Sequence, residues 1–368
     1  MSTSLATRPD TPWGRAIGIA AGAALLVAVI VLAFMWPAIT STVKDFPIAV
    51  VGPGEQVTAF TGALDQNAAG RFEVTEAADR DAAVRSIEER EVYGAVILGQ
   101  APEVLMASAN GAVTSQIMSQ IAGQLQQQVN AILAQQTAAA QQARAPAPGP
   151  IVVTVTDVVP LASTDERGMG LTAAAFPMVL GGMLGGILVS LLVAGVWRRI
   201  VSLTAYAVIA GAGLAAIMQA WFGVLQGDYL ANALAIALSL FATGAFIVGM
   251  TALIGPPGIA LGAIITLLIG NPISAAAQPL EFLPEPWGAI GQWFVPGASI
   301  TLLRDLSYFP EADATMPWLV LAGWGVLGVA LMFVGRYRNA EVVHEEGAVE
   351  QEGSEPERQL VMNTRQPE

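Results

Sequence analysis

Three long stretches of this chain, Ala16–Val43, Gly168–Trp197 and Tyr229–Leu280, contain no Asp, Glu, Lys or Arg. Each exceeds the about 20 apolar residues that carry an α-helix across a bilayer. Hydropathy along the chain predicts six transmembrane helices, at 16–36, 171–197, 200–222, 229–254, 259–277 and 317–334. Between the first and second, residues 37–167 turn to the mixed pattern of a water-facing domain. The expected class is an α-helical polytopic membrane protein with six transmembrane helices, plus an α/β extracytoplasmic domain inserted between helices 1 and 2.

Within that insert, Phe46–Val51 is a short apolar run closed by Gly52-Pro53-Gly54, the signature of a buried strand ending in a turn. Arg71–Thr75 alternates as a half-buried strand, Ala77–Arg90 is charged and amphipathic, and Val92–Leu98 is a second apolar run. The order strand, helix, strand predicts a βαβ-like unit with the two apolar runs side by side. Ile117, Ile121, Leu125, Val129 and Ile132 then recur at helical spacing, predicting one long amphipathic helix over 112–143. Its stripe is read either as packing on its own sheet or as a stalk or dimer contact. Ile151–Val159 is a last strand leading back towards the membrane.

Charge sets a direction on this layout. Arg8 and Arg15 precede the first span, Arg198 and Arg199 lie between the second and third, and Arg336 and Arg338 follow the sixth. The positive-inside rule makes that side cytoplasmic, with both termini inside a multi-pass protein of the cell membrane. Trp13, Trp36, Trp197, Trp221, Trp287, Trp293 and Trp318 fall near span ends, as interfacial belts do. The first span is too long for a signal-peptide core and lacks a small-residue cleavage site, so it reads as an uncleaved anchor behind a cytoplasmic segment 1–15. Part of the net charge of −13 sits in 337–368, where glutamates, Gly, Pro and Gln read as a disordered cytoplasmic tail.

Composition narrows the chemistry. Cysteine is absent and His344 is the one histidine, so disulfides, thiolate chemistry and a histidine-based metal site or triad are excluded by count. Lys44, the one lysine, has no Gly-rich phosphate loop around it, which excludes a P-loop motor within the chain. No G-x-S-x-G elbow occurs, and the carboxylates Asp79, Asp81, Glu88, Glu89 and Glu91 read as a solvated helix face. Neither an enzymatic role nor a cofactor is expected, and no nucleic-acid partner. The spans carry no ionisable residue, which argues against proton coupling through a membrane carboxylate.

Three groups of residues are the candidate working parts. Gln219, Asn232, Asn271 and Pro272 are pathway or helix-contact candidates, because amides in apolar helices hydrogen-bond across contacts. Gly181, Gly182, Gly185 and Gly186 form overlapping G-x-x-x-G pairs that favour close helix packing. Residues 280–315 alternate prolines with pieces too short to span, predicting a re-entrant or interfacial helical pair that includes Pro284, Trp287, Pro296, Arg304 and Asp305. Arg304 and Asp305 are expected to cap or pair within it.

This layout resembles the permeases of type-2 ABC exporters, and among them the YhgE/Pip (phage infection protein)-like membrane proteins. Phe46–Val51, the VYGAVIL run Val92–Leu98, and the stretch from Leu283-Pro284-Glu285-Pro286-Trp287 to Arg304 carry the likeness. The resemblance implies a homodimer or paired permease lining a path for a hydrophobic or amphiphilic substrate or cell-envelope component, driven by a separate P-loop ATPase. Such permeases generally offer the ATPase a coupling helix between the second and third spans; here that connection is Trp197-Arg198-Arg199. The alternative expectation is a non-transporting scaffold or assembly protein whose external domain holds an envelope partner.

Overall fold

The computed structural model describes residues 11–336 except Ala145 and Ala147, so the expected acidic tail lies outside the described residues. The protein is mostly helical, with a small five-stranded sheet and five helices long and apolar enough to cross a membrane. The first of these, α1 (Trp13–Thr40), leads directly into the sheet.

The sheet is built from β1 (Phe46–Val51), β2 (Phe72–Glu76), β3 (Gly94–Ile97), β4 (Glu103–Met106) and β5 (Thr154–Asp157), in the order β2-β1-β3-β4-β5. The two apolar runs lie side by side: β1 pairs in parallel with β3, Ile48 opposite Gly94, and on its other edge with β2. The crossover β1–β2 passes through α2 (Gly54–Asn67) and the crossover β2–β3 through α3 (Arg80–Glu88). They move to opposite sides of β1, so a common hand requires their helices on opposite faces. Alternation along the strands feeds both faces. Ile48, Val50, Val96 and Val104 point to α2 and to α4 (Ala112–Ala143), whereas Ala49, Ala95 and Leu105 point to Ala83 and Ile87 of α3.

The sequence pattern did not separate α2 or β4. The apolar face of α2 is short, and only Val57 is fully buried on it. β4 is a four-residue return strand, antiparallel to β3. In α4 the predicted stripe packs on its own sheet through Ile121 and Leu125, joined by Met118 and Ala122, while Ile132 further along is 55% exposed.

The remaining helices form a bundle: α5 (Gly170–Leu192), α6 (Val196–Ala215), α7 (Tyr229–Ile254), α8 (Pro257–Ala263), the short α9 (Trp287–Gly291), α10 (Val295–Tyr308) and α11 (Thr315–Arg336). α7 is the centre post, buried along most of its length. Its contacts set the direction of its neighbours. Gly182 meets Thr243 and Gly186 meets Gly244, so α5 runs parallel to α7. Leu203 meets Gly244 and Gly211 meets Ala237, so α6 runs antiparallel. Phe241 meets Gly325, and Ala252 meets Gly335, so α11 is again parallel.

Two boundaries differ from the sequence expectation. The segment 259–277 is not one spanning helix: α8 continues as π-helix over Ile264–Gly270 and then breaks, seven residues of each type. At 1.5 Å per residue that is about 21 Å, against a hydrocarbon core of about 30 Å. Pro272 has no N–H to continue the ladder and its ring opposes the preceding turn, so the helix stops at Gly270-Asn271. The second difference is at Trp197-Arg198-Arg199, which is the first turn of α6 and not a loop. The connection is Val193–Gly195, with Gly195 at φ +90°, a conformation suited to glycine. Arg199 reaches back to the C-terminal carbonyls of α5, with Nε donating to Val193 O at 2.7 Å and Nη2 to Ser190 O at 3.2 Å.

Candidate functional site

The site with most convergent chemistry is where the sheet meets the bundle, and the segment Pro279–Ala314 makes it. Leaving the break after Gly270, the chain turns at Pro284, whose carbonyl accepts from Trp287 N at 2.9 Å, and enters α10 with Pro296 in its first turn. The Trp287 ring meets Trp36 of α1 edge to face at 6.0 Å. At the two ends of this segment an aromatic ring leaves the bundle and completes a core of the sheet domain. Phe282, 5% exposed, packs on Phe46, which stacks on Tyr93 at 5.1 Å. Phe309, 1% exposed, fills the opposite face beside Ala83, Ile87 and Val159.

Polar contacts lock the same joint. Arg90 follows the C-terminus of α3 in the left-handed conformation, φ +59°, which turns the chain into β3. Its guanidinium lies over the Phe309 ring at 5.3 Å and forms an ion pair with Asp305, itself 4% exposed. Tyr93 Oη donates to Glu281 Oε2 at 3.0 Å, and Lys44 pairs with Glu285 at 2.5 Å. Burial pushes the Glu281 and Asp305 carboxyls above the usual carboxylate range, with the Arg90 charge opposing this at Asp305. Burial, then the like charge of Arg90, pulls Arg304 down to about 10. Arg304 donates to Ala276 O at 3.4 Å and does not pair with its neighbour Asp305, whose partner is Arg90 from the sheet domain.

Several buried polar atoms around this joint have no hydrogen-bond partner among the described residues: Arg90 Nε, Ser307 Oγ, both side-chain heteroatoms of Asn110, and Thr114 Oγ1. The turn carrying Asn110 packs against α10. Alongside opens a cleft of about 690 Å³ between Arg85, Glu88, Leu161, Gln226, Tyr308 and Phe309, a size that ligand sites commonly have. Among the described residues no group of three or more His, Cys, Asp or Glu side chains is placed to hold a metal. The arrangement provides hydrogen bonds and charge.

Of the pathway candidates, Gln219 and Asn232 come together. Asn232 Nδ2 donates to Gln219 Oε1 at 3.0 Å and to Gln226 O at 2.7 Å, while Gln219 Nε2 donates to Gly227 O at 2.9 Å. Gln226 connects this cluster to the cleft wall. Gln219 lies in a π-helical stretch, Ala216–Trp221, at the end of α6. Asn271 and Pro272 stand apart, next to the break, where Asn271 O accepts from Ser274. The glycines line α5: Tyr206 donates to Gly181 O at 2.6 Å, its ring covers Gly185, and a β-carbon at Gly186 would lie 2.9 Å from Gly244 Cα.

Arg90, Tyr93, Glu281, Phe282 and Phe309 did not emerge from the sequence pattern. A usable signal existed in the last two: each is an aromatic beside proline-rich turns in a segment too short to span. Comparison with models of protein families, with characterised proteins and with solved structures finds no match.

Proposed function

We propose that this chain is a membrane permease subunit that works as one of a pair and moves a hydrophobic or amphiphilic molecule or an envelope component, with ATP hydrolysis supplied by a separate P-loop protein. The observation that carries this reading is the broken crossing after α7. Because α7 and α11 run parallel, the chain from Gly255 to Ala314 must return from one end of the bundle to the other. That return is a short helix, a π-helical turn and irregular backbone. Broken crossings are tolerated at membrane depth only where protein or a water-filled cavity shields them, and transporters place their substrate paths beside such breaks. In this reading the chain makes six crossings, the fifth composite, with the sheet domain as an extracytoplasmic insert. The ends carrying Arg15, Arg198, Arg199 and Arg336 then gather on one side, which the positive-inside rule makes cytoplasmic.

A second reading, a non-transporting scaffold, is favoured by the opposite end of the bundle. The connections there are Val193–Gly195 and Gly255-Pro256, with no helix projecting among the described residues for an ATPase to grip. The deciding experiment is capture of the full chain from detergent-solubilised membranes of its native host. Co-purification of a P-loop ATPase in stoichiometric amount, with turnover that changes when both are reconstituted in vesicles, is the expected result. Recovery with envelope proteins alone, and no ATPase, would overturn the permease reading in favour of the scaffold.

A further inference from the structure

On the sheet face away from α3, the helices α2 and α4 leave a trough between them. It has two compartments of about 580 and 440 Å³, which share Phe60, Ala63, Leu125 and Gln128 as a neck. We infer that this trough holds the acyl chain of an anionic membrane lipid, with the head group at Arg71. The inference goes beyond the permease reading: it needs α1 to cross the bilayer and is indifferent to whether the protein transports.

The near compartment begins at Val43, three residues beyond the end of the apolar helix α1. In the proposed topology the trough therefore opens at the bilayer surface. Arg71 lines this same compartment and is tied to the chain leaving α1, since Phe46 N donates to Arg71 O at 2.9 Å and Asp45 N to Gly70 O at 3.1 Å. Its exposed guanidinium has no carboxylate within ion-pair distance among the described residues, while the nearby Lys44 is held by Asp45 and Glu285. A single uncommitted cation at the mouth suits a phosphate head group.

Beyond the neck the lining changes. The far compartment presents Leu98, Val129, Ile132, Leu133 and Ile151, and its polar side chains are neutral amides such as Gln56 and Gln136. A charged ligand is not accommodated there, and water meets mostly apolar wall, so a hydrocarbon chain is the complementary occupant. From Ile117 to Gln136 the trough follows α4 for about 28 Å at 1.5 Å per residue. One leaflet of the hydrocarbon core is about 15 Å deep, so a lipid tail has room. The neck also discriminates between occupants. A flexible single chain can bend past four side chains, whereas a helix about 10 Å across would have to displace them.

The full chain is reconstituted in phosphatidylcholine vesicles containing phosphatidylglycerol with a diazirine near the end of one acyl chain, then photolysed and mapped by mass spectrometry. Adducts are expected at Leu125, Gln128 and Ile132, well above those at Ala138, which lies on the same helix beyond the trough. Ala63→Trp or Gln128→Trp, introduced from opposite walls, should cut labelling at Ile132 about tenfold, because losing the burial of about two methylenes is already worth that factor. Arg71→Glu should remove the preference for this probe over the matching phosphatidylcholine probe. Labelling no higher at Ile132 than at Ala138, or insensitivity to both tryptophan variants, would overturn the proposal. So would disulfide-linked dimers of Ile132→Cys without lipid adducts, which would place a second copy in the trough. None of these results depends on recovering an ATPase.

Discussion

Two interfaces hold this molecule together, and they are built on opposite principles. Where α5 meets α7, side chains are removed: Gly182 and Gly186 let the backbones approach until Gly186 touches Gly244. Where the sheet meets the bundle, side chains are inserted: Phe282 and Phe309 enter separate cores, with Arg90 and Asp305 paired between them. In lipid, hydrophobic burial does not distinguish one apolar neighbour from another, so close packing must carry helix association. In the proposed topology the joint lies outside the hydrocarbon core, and there burying aromatic surface is itself the driving force. The glycine interface is a close-packed seam, and the joint is a pair of aromatic plugs pinned by an ion pair.

The largest effects are expected at the joint. Phe309→Ala should cost about 3–5 kcal/mol, the range for emptying an aromatic site in a core. Arg90→Met leaves Asp305 buried without its partner, and breaking a buried pair in that way costs about 3–5 kcal/mol. Denaturant unfolding in detergent measures both. Limited proteolysis between Val158 and Arg167 should accelerate in each variant as the domain loosens. Pairing Arg90→Met with Asp305→Leu should recover part of the loss, since no buried charge is then stranded. Full additivity of the two substitutions would show that the pair does not couple domain and bundle.

The difference between the interfaces also explains what the sequence revealed. The glycine seam is periodic and local to one helix, so Gly181, Gly182, Gly185 and Gly186 stand out from spacing alone. β1 and β3 stand out as apolar runs for the same reason. The joint unites Arg90, Glu281 and Asp305, whose separations along the chain have no period, through turns whose direction depends on tertiary packing. Asp305 looked like a partner for the adjacent Arg304, yet in a helix neighbouring side chains diverge, and the free carboxylate meets Arg90. The fifth apolar segment predicts a longer helix than the structure has, because hydropathy continues past Gly270 while Pro272 ends the hydrogen-bond ladder.

Smaller effects are expected inside the bundle. Gly186→Val forces a β-carbon towards Gly244 backbone that cannot move aside, and overpacking of this kind costs about 1–3 kcal/mol. The same unfolding measurement should show this loss without faster cleavage between Val158 and Arg167, which keeps seam and joint separable. Accelerated cleavage would mean that the seam positions the domain as well. Asn232→Leu removes the bonds to Gln219 and Gln226 O and should cost about 1 kcal/mol, typical of interhelical amides. If the host function survives that variant at normal expression, the amide cluster is structural and not part of a path.

The smallest effect tests the electrostatics of the joint alone. Glu281 is half-buried, and burial raises its carboxyl above the ordinary value of 4.5 despite the hydrogen bond from Tyr93. Between the unfolded and the folded pKa, the folded state binds more protons than the unfolded one, so stability falls as pH rises through that window. Above the folded pKa the cost of a desolvated carboxylate is fully present. Glu281→Gln keeps an acceptor for Tyr93 and removes that charge, so it should stabilise the protein modestly at pH above the folded pKa. The advantage should shrink as pH is lowered through the folded pKa and disappear below the ordinary value. Unfolding midpoints of the two proteins across that pH range measure it. A change independent of pH, whether gain or loss, would assign the effect to packing, and a loss that appears only as pH rises through the folded pKa would mean that the ionised carboxylate strengthens the joint.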